Sequence, residues 1–163
     1  MWEYVEMVED CIFDTVIKNG TVVDGSGGSR FKSDVGIKNN RIKAIGDLSR
    51  ARYGLKIDAA NRIVAPGFID VHTHDDRVLL AKPTMDMKIS QGVTSVVVGN
   101  CGISLAPLVA DNPPPPLDLI AEAGACRYST FDQFLQAGEG APAAVTAAFL
   151  VGHSTLRVGT MDS

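Results

Sequence analysis

His72 and His74, two residues apart, are the side chains of this sequence best suited to chemistry. Side chains at i and i+2 of a β-strand point to the same face, so this spacing predicts two imidazoles side by side. Paired neutral imidazoles suit zinc or a similar divalent ion. The alternative is a pair of hydrogen-bonded histidines. Because the chain has only three histidines and two of them fall at one strand end, we favour the metal.

The apolar residues before the histidine pair predict a buried strand. Ile69 and Val71 would lie on the opposite face from the histidines, which is typical of a strand buried on both sides. Asp70 would then be buried too, and an unpaired buried carboxylate costs on the order of several kcal/mol. We expect a metal-histidine cluster to supply its partners.

Length and composition indicate a soluble globular chain. The 163 residues are 45% hydrophobic, enough for one sizeable core, and the net charge of −4 argues against nucleic acid as a partner. No stretch reaches the roughly 20 apolar residues of a membrane span, and no signal-peptide pattern is seen, so we expect a cytoplasmic protein. Three widely spaced cysteines, Cys11, Cys101 and Cys126, favour reduced thiols over a disulfide framework.

Residues 13–65 alternate between apolar runs and turn residues. Asn19-Gly20, Asn39-Asn40 and the segment 59–61 each separate two short apolar runs, and each predicts a hairpin turn. We therefore expect a small antiparallel sheet that needs a second layer to cover it.

From Pro66 the pattern changes to alternating strands and helices. A helix is predicted over 84–91, followed by a buried parallel strand over 94–100 that ends at Cys101. Further helices are predicted over 117–123 and 129–137, and a third buried strand over 145–151 ends next to His153. Parallel sheets carry their chemistry at the carboxyl ends of their strands, so we expect the histidine pair, Cys101 and His153 at one edge.

Several motifs together resemble a known family. The segment 66–74 resembles the amidohydrolase superfamily of metal-dependent hydrolases. More narrowly, the segments 72–76, 90–94, 99–108 and 152–157 resemble the N-acyl-D-amino-acid deacylases, and the likeness runs from about Phe13 to the last residue.

The resemblance implies an α/β fold, the start of a (β/α)8 TIM-like barrel preceded by part of a small antiparallel β-sandwich. Residues 1–65 would be the N-terminal portion of the sandwich, and residues 66–163 the first three βα units of the barrel. It also implies zinc-dependent hydrolysis of the amide bond of N-acyl-D-amino acids, with one or two divalent ions. His72, His74 and Cys101 would be metal ligands, and a thiolate suits zinc.

Other polar residues receive weaker assignments. The resemblance places His153 at the mouth of the site, where it would contact substrate or serve a structural hydrogen bond. Arg157 would bind a substrate carboxylate or remain an exposed salt-bridging arginine. Asp75 and Asp76 would orient the ligands or would be ordinary acidic residues that open a helix or loop, and we assign them no catalytic role. Cys11 and Cys126 carry no motif and would be structural.

The family pattern requires two more histidine ligands and a catalytic aspartate from later strands. Because the sequence stops at Ser163, we expect an N-terminal fragment with no catalytic residue of its own, inactive and poorly stable alone, and prone to self-association. Two alternatives stay open. One is another amidohydrolase, such as a cyclic-amide hydrolase or a deaminase, and the other is a non-catalytic metal-binding fragment.

Overall fold

Alternating β-branched and polar residues between Ile12 and Pro66 form one five-stranded sheet in the computed structural model, which describes residues 12–161. The strand order is β3-β2-β1-β4, and β5 also pairs with β1. The strands are β1 (Ile12–Val22), β2 (Phe31–Lys38), β3 (Arg41–Gly46), β4 (Arg52–Asp58) and β5 (Ile63–Val64).

The predicted antiparallel sheet is wrong in part, because β4 and β5 both run parallel to β1 and are not a hairpin around residues 59–61. The first predicted turn is also wrong. β1 continues through Asn19-Gly20, and its register against β2 shifts between Ile17 and Gly20. Asn19 has φ of 65° there, so its tolerance of left-handed backbone serves an irregularity within a strand instead of a turn.

The second predicted hairpin is confirmed. β2 and β3 pair antiparallel on either side of Asn39 and Asn40, whose φ angles are 51° and 57°. Two successive left-handed residues are what the two-residue turns of tight hairpins require. The small core of this unit contains Phe13, Val16, Ala44 and Leu48, whereas every residue of β4 is exposed.

A second compact unit begins at Gly67. Its main sheet has the order β10-β7-β6 with all strands parallel, which confirms the three predicted parallel strands. A separate antiparallel pair, β8 with β9, was not predicted. The elements are β6 (Phe68–Asp70), α1 (Asp76–Ala81), α2 (Asp86–Ile89), β7 (Val93–Val98), β8 (Leu108–Ala110), β9 (Cys126–Tyr128), α3 (Phe131–Gly140), β10 (Thr146–Phe149) and α4 (His153–Thr160).

The helices differ from their predicted bounds. The helix predicted over 84–91 is the single turn α2, and the helix predicted over 117–123 is a 3-10 turn at Leu117–Leu119. α1 was not predicted. α3 is confirmed, and a capping box at Thr130 and Gln133 satisfies its first backbone amides.

The second unit has two apolar cores. One surrounds β7 and includes Leu79, Met85 and Val96, and the other is centred on Phe134 of α3. The prediction that β6 is buried on both sides is wrong, since Phe68, Ile69 and Val71 are each more than 60% exposed. β6 is an edge strand in this sheet, and β7 is the one strand within residues 12–161 that pairs with it. None of the helices within residues 12–161 has the length and apolarity to cross a membrane.

Candidate metal centre

The two histidines lie in the loop between β6 and α1, not within the strand as predicted. β6 ends at Asp70, and α1 begins at Asp76. The loop still runs alongside β7, because the Thr73 amide donates to the Val97 carbonyl over 3.2 Å. The alternation of side chains also persists in part, since Thr73 is buried while His72 and His74 are exposed.

Cys101 lies in a tight loop directly after β7. Gly99, Cys101 and Gly102 all have positive φ, of 78°, 54° and 76°. A left-handed conformation is uncommon for cysteine and tends to persist where the surrounding structure demands it. Gly99 cannot carry a side chain, because an added Cβ would clash with the carbonyl of Leu150. This loop turns the Cys101 side chain toward the neighbouring histidine loop.

The two loops bring three donor atoms together. One ligand atom from each of His72, His74 and Cys101 falls within 4.8 Å of the others. The closest approach is 3.0 Å between His72 Nε2 and Cys101 Sγ, and the two imidazole rings are 5.7 Å apart and nearly perpendicular. Tetrahedral zinc with nitrogen and sulfur ligands requires donors about 3.5 Å apart. Two imidazoles and one cysteine sulfur are donor types that zinc prefers, and their separations, from 3.0 Å to at most 4.8 Å, bracket that distance.

Asn100 connects the two loops. Its side-chain amide donates to the Val97 carbonyl at 2.7 Å and to the Thr73 carbonyl at 3.3 Å. Thr73 lies between the two histidines, and Asn100 precedes Cys101. The side chain of Asn100 therefore bonds the backbone of one ligand loop to the backbone of the other.

Lys88 of α2 forms a charged network beside the histidines. Its ammonium lies 2.7 Å from Asp70 Oδ2, 2.9 Å from Asp75 Oδ2 and 3.2 Å from Thr73 Oγ1. Hydrogen bonds from Lys88 and from the His72 amide hold the pKa of Asp70 below its ordinary value. Burial alone would lower the pKa of Lys88, but its hydrogen bonds to Asp70 and Asp75 outweigh burial and raise it.

This network corrects the expectation that a metal cluster would partner Asp70. The carboxylate is intermediate in exposure, and its partners are the Lys88 ammonium and the His72 backbone amide. The sequence shows no spacing rule that links Lys88 to Asp70, because the two are 18 residues apart and meet only after α2 packs beside β7.

Asp76 is the most buried acidic group near the site, with 1% exposure. Its Oδ2 accepts a 3.3 Å hydrogen bond from the Gly99 amide, whereas Oδ1 has no partner within the described chain. Burial raises the pKa of Asp76, and the bond from Gly99 and the nearby His74 oppose that increase. Asp76 therefore bonds the start of α1 to the backbone of the cysteine loop.

A neutral network secures the other side of the cysteine loop. Thr155 Oγ1 accepts from the Ser104 amide and donates to the Ser104 carbonyl, both over 2.9 Å. Ser104 Oγ in turn accepts from the Gly152 amide at 2.9 Å and donates to the Ala106 carbonyl at 2.6 Å. Ser104 and Thr155 are fully buried, and this network joins the loops after β7 and β10 by direct hydrogen bonds.

His153 and Arg157 lie outside the three-residue cluster. His153 opens α4, and a Cβ placed on Gly102 would lie 3.8 Å from the His153 Cβ, so this histidine borders the cysteine loop. Its side chain and that of Arg157 are exposed, and no ion pair involves Arg157 within residues 12–161. Cys126 is buried in β9, and Cys11 falls outside the described residues.

Comparison with known proteins identifies the family of this chain. A family model described as "Amidohydrolase family" matches residues 56–158. The chain belongs to the amidohydrolase family. Its sequence is 54% identical to a D-aminoacylase of Alcaligenes xylosoxydans xylosoxydans over 149 residues, which are 91% of this chain and 31% of that protein. The amidohydrolase resemblance stated from the motifs is thereby confirmed.

Solved structures of relatives agree with the sequence match. A D-aminoacylase structure described as having a binuclear metal center superposes with a TM-score of 0.90 at 53% identity, over 93% of this chain and 32% of that one. An N-acyl-D-glutamate deacylase from Bordetella bronchiseptica, complexed with zinc and a phosphonate inhibitor, gives a TM-score of 0.85 at 39% identity, with the same coverage. The chain thus spans about a third of the length of these relatives.

Proposed function

We propose that this chain supplies the first part of the active site of a zinc-dependent hydrolase that cleaves the amide bond of N-acyl-D-amino acids. The observation that carries the proposal is the meeting of donor atoms from His72, His74 and Cys101 within 4.8 Å. These residues would hold one ion directly, or take part in a centre of two ions. The deacylases to which the chain is similar support the choice of substrate.

The chain's own contribution is to hold ligands. When bound, a zinc ion would lower the pKa of a water molecule toward neutrality and polarise the acyl carbonyl. Around it, the left-handed loop at Cys101 orients the thiolate, and the contacts of Asp70 and Asn100 orient the histidine loop. Residues that hydrogen-bond to metal-binding side chains or loops commonly orient the ligands and tune the metal.

We assign no proton-transfer role to the two aspartates that follow the histidines. Asp75 is engaged by the Lys88 ammonium and the Thr73 hydroxyl, and Asp76 is buried against the Gly99 amide. A group that shuttles a proton must reach the substrate, whereas both carboxylates are already engaged by donors of the protein. The aspartate of the family pattern would come from outside these 163 residues.

Substrate contacts are proposed at the end of β10. His153 is exposed and opens α4 next to the cysteine loop, and this position supports a contact with the acyl group of the substrate. Arg157, one turn later on α4, offers a guanidinium for the substrate carboxylate. Relatives with this likeness include an N-acyl-D-aspartate deacylase and an N-acyl-D-glutamate deacylase, so the proposal names the N-acyl-D-amino acid class and no single side chain.

We also propose that the unit from Gly67 is the start of a (β/α)8 barrel and that the preceding unit is part of a small β-sandwich. The order β10-β7-β6 of parallel strands is the order that successive barrel strands would have. The exposed apolar side chains of the edge strand β6 would be covered once the barrel is closed.

A chimeric enzyme tests the function directly. Residues 1–163 would replace the matching part of the Alcaligenes D-aminoacylase, and release of free amine from N-acetyl-D-methionine and its L enantiomer would be followed with zinc present. We expect D-selective hydrolysis, because the chain would supply three ligands of the metal site and the rest of the chimera comes from a D-aminoacylase. A folded, zinc-loaded chimera without activity on N-acyl-D-amino acids would contradict the proposal.

Two cysteine variants of the chimera provide the matched comparison. Cys101→Ala removes a proposed ligand, so we expect a loss larger than the roughly 10- to 100-fold that an outer partner of a metal site costs. Cys126→Ala removes a buried thiol distant from the cluster and should keep the activity of the chimera. Zinc content measured on both variants separates loss of metal from loss of fold.

A further inference from the structure

The side chains beneath the histidine loop form an arrangement that metal binding by itself does not explain. Lys88 reaches Asp70, Thr73 and Asp75 with distances of 2.7, 3.2 and 2.9 Å. The ammonium donates hydrogen bonds to Asp70 and Thr73 and forms an ion pair with Asp75. The two carboxylates stand on either side of the histidine pair in the chain.

Each acceptor is also bonded to the loop itself. Asp70 Oδ1 accepts from the His72 amide at 3.2 Å, and Thr73 Oγ1 donates to Asp75 Oδ2 at 2.7 Å. The loop consequently has one side fixed by Asp70, Thr73 and Asp75, and an open side that presents the two imidazoles. Any displacement of Lys88 is transmitted to the backbone on both sides of the histidines.

Lys88 is itself well anchored. It lies in the one-turn helix α2, and the preceding Met85 has a left-handed φ of 49° and a fully buried side chain in the core around β7. The Lys88 amide donates to the Met85 carbonyl at 2.8 Å. A helix of four residues is not stable by propensity, so the buried methionine keeps the lysine in place.

We propose that Lys88 is a positioning residue of the metal site, which holds His72 and His74 at ligand spacing by fixing Asp70 and Asp75. The inference rests on the proposed function, in which the two histidines bind the metal. Without the ammonium, the carboxylate oxygens of Asp70 and Asp75, which lie 2.7 and 2.9 Å from the same nitrogen atom, would be left close together with no cation between them. Their repulsion would open the loop and widen the histidine spacing.

Cobalt(II) binding to the 163-residue chain tests the inference, with visible absorption as the readout of ligand geometry. Lys88→Met keeps the length of the side chain but removes its charge, and Lys88→Arg keeps the charge. Lys82→Met removes an exposed lysine six residues earlier and serves as the matched control. We expect about 10- to 100-fold weaker cobalt binding and an altered spectrum for Lys88→Met, partial restoration by Lys88→Arg, and no change for Lys82→Met.

Amide hydrogen exchange of the metal-free chain gives a second readout that needs no metal. Lys88→Met should increase exchange at residues 72–75 while β7 stays protected, whereas general unfolding would expose both. If the variant does not fold, Asp75→Asn releases one end of the loop more mildly and should shift the cobalt spectrum in the same direction.

The outcomes distinguish the two proposals. A wild-type chain that binds no cobalt would overturn the metal site and, with it, the role of Lys88. A wild-type chain that binds cobalt, together with a folded Lys88→Met variant of unchanged affinity, spectrum and exchange, would overturn the positioning role alone.

Discussion

The loop at 71–75 and the loop at 99–104 both carry proposed metal ligands, but different forces hold them. Ion pairs from Lys88 to Asp70 and Asp75 hold the histidine loop. The cysteine loop depends on backbone shape at Gly99 and Gly102 and on buried neutral hydrogen bonds such as that of Thr155. Charged contacts near the surface respond to salt and tolerate small shifts, whereas close backbone packing does neither.

This contrast predicts that the cysteine loop tolerates substitutions less well than the histidine loop does. The atoms that contact the cysteine loop lie close to it in space, and most of them are backbone atoms that cannot move away. The histidine loop depends on long side chains whose ends can adjust. The expected effects below run from the largest to the smallest.

Gly99→Ala should have the largest effect. The added methyl would clash with the Leu150 carbonyl, and alanine is strained at φ of 78°, so we expect a loss of about 3 kcal/mol or more in unfolding free energy. Urea denaturation measures it. Gly124→Ala is the matched control, because Gly124 has φ of 75° with open space around it and should cost only about 1–2 kcal/mol. Equal losses for both variants would contradict the packing argument.

Thr155→Val should destabilise the chain by about 1–3 kcal/mol, because it leaves the buried amide and carbonyl of Ser104 without partners. Thr155→Ser retains the hydroxyl and should recover most of the loss. Urea denaturation in low and high salt measures both, and the cost of Thr155→Val should not depend on salt. A valine variant as stable as the serine variant would show that the network contributes little.

Lys88→Met should destabilise the chain by about 1–2 kcal/mol at low salt, less than a fully buried pair, because the partners keep some solvent exposure. Unlike the effect of Thr155→Val, this difference from wild type should shrink in 0.5 M salt (roughly a 4 Å screening length). The measurement is urea denaturation at two salt concentrations. A salt-independent difference would place the histidine loop in the same class as the cysteine loop.

Alkylation of Cys101 should have the smallest effect on stability and should report the open side of the site. Cys101 is exposed, whereas Cys126 is 2% exposed and burial raises the pKa of its thiol, so Cys126 stays protonated to higher pH. We expect iodoacetamide to modify Cys101 before Cys126 at pH 8, and zinc to slow the reaction of Cys101. Peptide mass spectrometry measures the labelling, with denatured chain as the control. Equal rates at the two cysteines would contradict the assigned burial.

Local sequence patterns predicted those features that short-range chemistry controls. The Asn39-Asn40 hairpin follows from the left-handed preference of asparagine, and the parallel strand β7 follows from its continuous β-branched run. The same reasoning was wrong at Asn19-Gly20, where the left-handed backbone lies inside a strand. A two-residue signal predicts the conformation of the backbone, but not which strands pair on either side of it.

The candidate site divides in the same way. His72, His74 and Cys101 could be selected from the sequence, because residue type and position at strand ends are local properties. Lys88, Asn100, Ser104 and Thr155 could not, because each acts on residues that are distant in sequence or on backbone groups that have no sequence signature. The exposure of β6 was also predicted wrongly, since burial depends on which neighbours cover a strand.

The sequence by itself therefore determined the family, the donor types and the parallel strands that carry them, because these depend on residue identity and local periodicity. Only the tertiary structure decided the distances between donors and the contacts that maintain them. The physical reason is that ligand spacing depends on how β6 and β7 align and on which side chains reach across from α2 and α4. Those contacts join residues from 15 to 51 positions apart, a range over which no local pattern extends.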